Sequence, residues 1–399
     1  MVVSQLLSNP AEDARIRSEI RKRNDEFRAG VREFAAPLAD GYHSRATSTE
    51  FFWELYRQMG EQGILGLSTP VSAGGAGASF VQAGIAMEEL GRADFNAAFS
   101  LFGALCTNEM LATHGSDEVQ EAWLGPALRG ETAIGFAVTE MVAGSDSRNI
   151  QTRATRVDGG WSLNGHKTSS GFAVVAGATI VFARTSEDPR NGITPFLVAL
   201  GSPGVTLRRI PNYGFRPTGR GELELDDVFV PDSHVIGEVG HGFELVIESF
   251  DYTRALIALL AVGAADRAIE IAVEWAKERE TFGAKLATRQ GITFPIAEHL
   301  TRVNASRLMA CDALERKDEG LPITREAAMS KWFATDTALK AVHEAIVILG
   351  HRAYSEEMPL MQLFRDVQGL EIAEGPAQIQ KMVIARDVFG RVSQSRHGG

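Results

Sequence analysis

Glu374 stands in the stretch of the sequence with the clearest chemical character, Leu370-Glu371-Ile372-Ala373-Glu374-Gly375-Pro376. A helical pattern runs into it, Gly375 can break that helix, and Pro376 can open the next one as a first-turn residue. A carboxylate at a helix C-terminus faces the negative end of the backbone dipole. Once substrate removes water from it, its pKa should rise. Such a group suits the removal of a proton from a weakly acidic carbon. Glu371, one turn earlier, can present a similar face and is the second candidate.

Three other stretches carry groups suited to binding. Val138-Thr139-Glu140-Met141-Val142-Ala143-Gly144-Ser145-Asp146 combines small residues, which let backbone approach a flat ring, with hydroxyls and amides at Thr139 and Ser145 for the ring's polar edge. It also fits a plain polar turn entering a strand. Phe250-Asp251-Tyr252-Thr253-Arg254 stands where a long helix is expected to open, and Asp is favoured there by the dipole whatever the function. Arg279-Glu280-Thr281-Phe282-Gly283, with Gln290 beyond, puts a guanidinium at a helix C-terminus. It can serve as a cap there, and its fork is equally suited to a diphosphate. The glycine-rich Ser72–Gly77 has no preceding strand and no following Lys-Ser/Thr, so it reads as a connection. His241 reads as a loop histidine.

The elements that hold these stretches change period twice. From about Ala11 to Gly130 the pattern is helical: Phe51, Phe52, Leu55 and Met59 recur on one face with Thr47, Ser48 and Thr49 as available caps, and further helices cover Phe80–Leu90 and Asn96–His114. From about Thr132 to Val239 the period is two, with strands at Trp161–Gly165, Thr179–Arg184, Thr194–Leu200 and Gly221–Val230. No crossover helix interrupts them, which excludes a parallel Rossmann sheet and predicts a small antiparallel barrel or sandwich. From Gly242 onward helices return at Phe243–Ser249, Arg254–Glu280, Thr293–Asp318, Thr324–Leu349, Leu360–Ala373 and Pro376–Phe389, an antiparallel bundle. The expected class is α+β with three units: N-terminal helical (1–131), middle antiparallel β (132–240) and C-terminal four-helix-type bundle (241–399).

The 399 residues carry 40 Lys plus Arg against 51 Asp plus Glu, a formal charge of -11 that argues against a nucleic-acid partner. The two cysteines, Cys106 and Cys311, sit in no metal or disulfide pattern, so no metal is expected. The longest apolar run, Ala255–Ala265, is too short to span a bilayer, and the charged stretch Ala11–Arg28 lacks a signal segment's character. A cytoplasmic protein with no membrane partner is the expectation.

In this order the three units and the motifs resemble the acyl-CoA dehydrogenase family over about Phe51 to Val392. The 138–146 stretch is similar to the family's T-E-P-G-A-G-S-D signature, with Met141-Val142 where Pro-Gly is usual. The resemblance implies that Val138, Thr139 and Gly144 lie along the flavin of FAD and that Ser145 reaches flavin and acyl-CoA. Gly165-His166-Lys167-Thr168-Ser169-Ser170-Gly171 resembles G-x-K-x-W-I-T/S without its aromatic. Read without a gap, Ser169 takes the aromatic's position and Gly171 the hydroxyl's. Read with a one-residue deletion, Ser170 supplies the hydroxyl to flavin N5, the favoured alignment because a donor there stabilises charge on the reduced ring. Leu223–Pro231 matches the exit from the β domain.

Asp251 and Arg254 resemble family residues beside the thioester and pantetheine. Thr253 occupies the position where some relatives carry their catalytic glutamate. Arg279, Thr281, Phe282 and Gln290 match residues that hold the FAD diphosphate and adenine side across a subunit boundary, which implies at least a homodimer and by analogy a homotetramer. Val347–Tyr354 resembles Q-I-L-G-G-Y-G-Y, making Gly350 part of a further FAD-binding turn. Phe364–Lys381 resembles Y-R-D…I-x-E-G-T-S-x-I-Q-R, which assigns Glu374 as the base, Gly375 to the substrate side and Gln378 to the cofactor, with Pro376-Ala377 replacing Thr-Ser.

The resemblance implies FAD-dependent α,β-dehydrogenation of an acyl-CoA thioester. Glu374 would take the α-proton while hydride passes to flavin N5, and electrons would continue to an electron-transfer flavoprotein. Two alternatives stay open: an oxygen-using oxidase or monooxygenase on the same scaffold, and a dehydrogenase of an acyl-carrier-protein thioester.

Overall fold

The computed structural model describes residues 10–188 and 191–390. The outer ends of the first and third expected units, 1–9 and 391–399, lie outside the described residues. The chain opens with α1 (Pro10–Ala35), α2 (Leu38–Thr47), α3 (Trp53–Glu61), α4 (Phe80–Ala93) and α5 (Phe95–His114), then the short α6 (Asp117–Val119) and α7 (Gly125–Leu128) around one π-helical turn. A capping box starts α4, in which Ser79 and Gln82 satisfy each other's backbone N–H groups. Asp94 separates α4 from α5 and caps the latter through Asn96 and Ala97. Helix α4 runs past Gly91, where the sequence suggested a stop, because a bare Cα there lets α8, described below, pack closely: a Cβ would lie 2.9 Å from the Leu260 carbonyl oxygen. Thr47 to Thr49 do not cap α3. It begins at Trp53 without a side-chain cap, and the Ser48 hydroxyl instead accepts from the Glu50 N–H.

The middle unit contains β1 (Ile134–Ala137), β2 (Arg153–Val157), β3 (Gly160–Ser170), β4 (Ala178–Arg184), β5 (Ile193–Ala199), β6 (Val205–Arg209) and β7 (Gly221–Pro231) in one sheet of order β1-β4-β2-β3-β7-β6, with β5 also on β4. The long ladders β2/β3, β3/β7, β4/β5 and β6/β7 are antiparallel, as the alternation at Glu222–Leu225 required. Two short parallel pairings, β1/β4 and a single pair of β2/β4, close the sheet along the other edge of β4. Between Lys167 and Ser170 strand β3 holds one residue more than β7 opposite it, and Ser169 adopts φ 58° in that bulge.

Helix α8 (Gly242–Glu278) starts the C-terminal unit. The β8/β9 hairpin (Glu280–Thr281, Ala284–Lys285), α9 (Gln290–Asp318), α10 (Thr324–Leu349), α11 (Leu360–Ile372) and α12 (Ala377–Phe389) follow. The sequence divided α8 into two helices at Phe250–Thr253, whereas the structure has one helix of 37 residues. Asp251 therefore lies inside the helix and not at an N-terminus. Its carboxylate is satisfied by side chains, Arg254 and Thr324, so it does not compete for backbone donors. The alanine-rich middle of α8 is buried throughout and joins α4, α5 and α10 in one core.

Candidate active site

Helix α11 ends at a corner in which Glu374 (φ 54°) and Gly375 (φ 89°) are both left-handed. A non-glycine residue in that region costs about 1–2 kcal/mol, so its surroundings must hold it there. Two side chains do so. Lys331 of α10 donates from Nζ to the carbonyls of Gly375 (2.8 Å) and Glu371 (3.4 Å). Gln380 of α12 donates from Nε2 to the carbonyls of Glu374 (2.9 Å) and Gly375 (2.8 Å). Both residues have no exposed surface. The carbonyls that a helix C-terminus leaves without partners are thus satisfied from two neighbouring helices.

The Glu374 carboxylate meets Thr253 of α8, whose hydroxyl lies 3.0 Å from Oε2. The two positions that the sequence offered for a base are therefore adjacent in space. Burial raises the carboxyl's pKa, while the Thr253 hydroxyl and the charges of Arg254 and Lys331 pull it back. Arg254 is buried and pairs with Asp251 at 3.1 Å, and its Nε has no partner among the described residues. Glu371 faces another direction, accepting from Gln368 Nε2 at 2.9 Å. Sequence spacing left both glutamates open, and of the two only Glu374 touches the α8 cluster.

An open cleft runs between α5, α8 and α9. Its inner end is formed by Cys106, whose Sγ lies 3.1 Å from the Ser249 hydroxyl, one helical turn before Thr253. Its outer part is polar, with Glu109, Thr113, His114, Glu248 and Lys317. The Lys317 ammonium lies over the rings of Phe80 (4.4 Å) and Tyr252 (5.3 Å) and 3.7 Å from Glu109. Burial pushes the Glu109 carboxyl up to about 7 despite that neighbour. Burial first, and then the Glu374 charge, pushes the Cys106 thiol up to about 12, which makes it an inert wall and not a nucleophile. These residues come from three distant segments, and no local motif marks them.

On the β unit, Lys167 is fully buried and donates to Glu140 (2.7 Å) and to the Val138 carbonyl (3.0 Å). Glu140 also accepts from Thr152 and from the Gln151 N–H, and the Thr139 carbonyl accepts from the Thr168 N–H. The 138–146 loop is thereby fixed to β3. Met141 and Val142, standing where Pro-Gly was expected, occupy the exposed tip of the turn closed by Glu140 and Ala143, with Gly144 and Ser145 exposed beyond it. Ser169 turns away to accept from Arg220 Nη2 at 2.7 Å. The Ser170 hydroxyl is buried with no partner among the described residues, and a Cβ built on the neighbouring Gly171 would meet open space. An unsatisfied buried hydroxyl beside an open backbone fits the polar edge of a bound ring.

The remaining binding candidates lie apart from this group, on the surface of the bundle. Arg279 caps α8, Thr281 and Phe282 form the β8/β9 turn, Gln290 opens α9, Gly350 (φ 61°) ends α10, and Gln378 is exposed at the start of α12. Phe282 is 98% exposed. The ring of Trp275 gathers two guanidinium groups, Arg279 at 5.9 Å and Arg352 at 4.9 Å, neither with a carboxylate partner among the described residues. Arg352 was not singled out in the sequence. Its position beside the Arg279 motif appears only once α8 and the turn after α10 are packed together. No group of metal-binding side chains occurs among the described residues, and none of their helices is long and apolar enough to cross a membrane.

Three domain families match the chain: acyl-CoA dehydrogenase N-terminal (residues 21–131), middle (135–228) and C-terminal (240–389). An acyl-CoA dehydrogenase of Bacillus subtilis (strain 168) is 34% identical over 372 residues, 91% of this chain and 97% of that relative. The mitochondrial short-chain specific acyl-CoA dehydrogenase of Homo sapiens is 36% identical over 333 residues, 82% of this chain and 81% of that relative. Among solved structures, glutaryl-coenzyme A dehydrogenase in its glutaryl-CoA complex superposes with a TM-score of 0.90 at 30% identity, covering 95% of this chain and 98% of the other. With a helical, β and helical order closing around a clamped carboxylate, the chain belongs to the acyl-CoA dehydrogenase family, FAD-dependent oxidoreductases.

Proposed function

We propose that Glu374 removes the α-proton of an acyl-CoA thioester bound in the α5/α8/α9 cleft. The observation that carries this reading is the carboxylate's position: it sits beside Thr253 one turn beyond the cleft's inner end, on a backbone corner gripped by Lys331 and Gln380. FAD, when bound, supplies the acceptor for the β-hydrogen and its electron pair. Val138, Thr139, Gly144, Ser145, Ser169 and Ser170 would line its ring. Ser170 fits best because its hydroxyl is otherwise unsatisfied. The Glu374 N–H would donate to the thioester carbonyl and acidify the α-carbon. Burial of the Glu374 carboxylate keeps it basic enough to accept that proton. Asp251 and Arg254 would hold the thioester end of the substrate arm, with Gly375 beside them.

Arg279 with Arg352, together with Thr281, Phe282, Gln290, Gly350 and Gln378, would hold the diphosphate and adenine side of FAD belonging to a neighbouring subunit. A 98% exposed Phe282, together with two guanidinium groups on Trp275 that have no carboxylate partner among the described residues, supports a functional oligomer, a tetramer by family analogy. The electron acceptor proposed is an electron-transfer flavoprotein. A Glu374→Gln variant should purify with FAD yet show no bleaching of the flavin absorbance by thioesters; near-wild-type turnover would refute the assignment. One feature favours oxygen as acceptor: Ser169, hydrogen-bonded to Arg220, leaves the position of the expected aromatic without a ring. Stopped-flow reoxidation of the reduced enzyme by dissolved oxygen, faster than by the flavoprotein, would identify an oxidase.

A further inference from the structure

Resting on the thioester reading, we infer that the enzyme takes short acyl groups, and that a stack of phenylalanine rings beyond Glu374 sets the limit. Helices α5 and α8 run antiparallel. Cys106 faces Ser249 at 3.1 Å, and the far end of α5 packs on the segment just before α8, where the Gly237 N–H donates to the His114 carbonyl. One turn back along α5 from Cys106 is Phe102, and one turn forward along α8 from Ser249 is Thr253. Phe102 therefore stands level with the base.

The groove changes character at that level. Toward solvent it offers Glu109, Thr113, Glu248 and Lys317, groups that suit the amides and hydroxyls of a pantetheine arm. Away from solvent, α5 presents the rings of Phe102 and Phe99 at that level, so the polar arm and the apolar acyl end sort to opposite sides of Glu374. The apolar side is short. Phe102 stacks on Phe99 (5.3 Å, 24°), Phe99 on Phe215 (4.4 Å, 21°), and Phe215 on Phe95 (5.4 Å, 26°). At these separations no acyl chain passes between the rings.

The stack is also braced from behind, so it cannot swing aside at low cost. Phe215 adopts φ 54°, donates its N–H to buried Asp366 (2.9 Å), and presses on Gly369, where a Cβ would lie 2.1 Å from its ring. Asp366 is held in turn by Tyr42, Asn96 and Gln362. Phe172 seals the neighbouring side against Gly103, where a Cβ would lie 2.4 Å from its ring.

The test measures kcat/KM of the holoenzyme for a straight-chain thioester series from butyryl-CoA to dodecanoyl-CoA, followed by flavin bleaching with an artificial electron acceptor. The wild-type enzyme should favour butyryl over dodecanoyl by about tenfold or more. Phe102→Ala and Phe99→Ala should each raise the dodecanoyl-to-butyryl ratio by about tenfold, with Phe102→Leu giving a smaller rise and serving if the alanine variants lose FAD. Equal wild-type activity on both lengths, or an unchanged ratio in variants that retain FAD and their thermal midpoint, would overturn the inference while leaving the thioester reading intact. Failure of every thioester to bleach the flavin would overturn that reading and this inference with it.

Discussion

Replacing Lys331 with methionine separates two tasks that this residue performs at the Glu374 corner. The ammonium is fully buried and makes one strong bond, to the Gly375 carbonyl at 2.8 Å, and one long one, to Glu371 at 3.4 Å. Burial has already lowered its own pKa to about 8. A hydrogen bond from a charged donor contributes about 1.5–3 kcal/mol, and Gln380 still covers the Gly375 carbonyl, so the loss should fall near the lower figure, about 1.5 kcal/mol. Methionine fills a similar volume without a buried charge, which reduces that cost further. The electrostatic effect has a definite sign. The Lys331 charge pulls the Glu374 pKa down against the effect of burial. Its removal leaves the carboxyl protonated to higher pH, and catalysis needs the ionised form. In Lys331→Met the acid limb of the kcat/KM profile, followed by thioester-dependent flavin bleaching, should move to higher pH. Lys331→Arg, which keeps the charge, should leave the limb near its wild-type position. If the methionine variant lost rate equally at every pH, with an unmoved limb, Lys331 would be a structural prop only and its influence on the base would be refuted.

Thr253→Ala removes the hydroxyl that favours ionised Glu374, so the acid limb should again shift upward, with a loss at neutral pH of about fivefold, the equivalent of a bond of about 1 kcal/mol. Lys167→Met strands the Glu140 carboxylate in a buried site and should lower holoprotein stability by about 3–5 kcal/mol. Adding Glu140→Gln should recover much of that loss in thermal denaturation, and no recovery would show that the pair does not act as a unit. Arg279→Ala and Arg352→Ala should each weaken FAD binding by roughly tenfold to a hundredfold in fluorescence titration, with the oligomer unchanged in sedimentation, if the two guanidinium groups meet a diphosphate.

The corner that carries Glu374 was readable in the sequence because Gly375 and Pro376 break the helix there, and that signal is local. Its supports were not. Lys331 lies inside the regular helix α10, and a lysine in such a pattern reads as solvated unless the partner carbonyls, forty or more positions later, are known. Gln380 was passed over for the same reason, while the more conspicuous Gln378 is exposed. Strands β3, β4, β5 and β7 were legible from their alternation, but the short β1, β2 and β6 were not, nor were the parallel contacts of β4 with β1 and β2, since period says nothing about neighbours. Asp251 misled because an acid near an expected helix start has the same local signature as an acid paired within a helix to Arg254. The cleft was invisible because Cys106, Ser249 and Lys317 converge from three segments.

Helix α8 carries Ser249 at the cleft, Thr253 and Arg254 beside Glu374, and Trp275 at the bundle surface with Arg279 capping its end, on one uninterrupted rod of 37 residues, about 55 Å long. A single inserted or deleted residue anywhere along it would turn everything downstream by about 100°. The carboxylate's partners and the paired guanidinium groups could then not face their ligands together. Divergence along this segment is therefore confined to exchange of one side chain for another at fixed length. Gaps in an alignment of functional descendants, or loops grafted by an engineer, should fall outside residues 242–278.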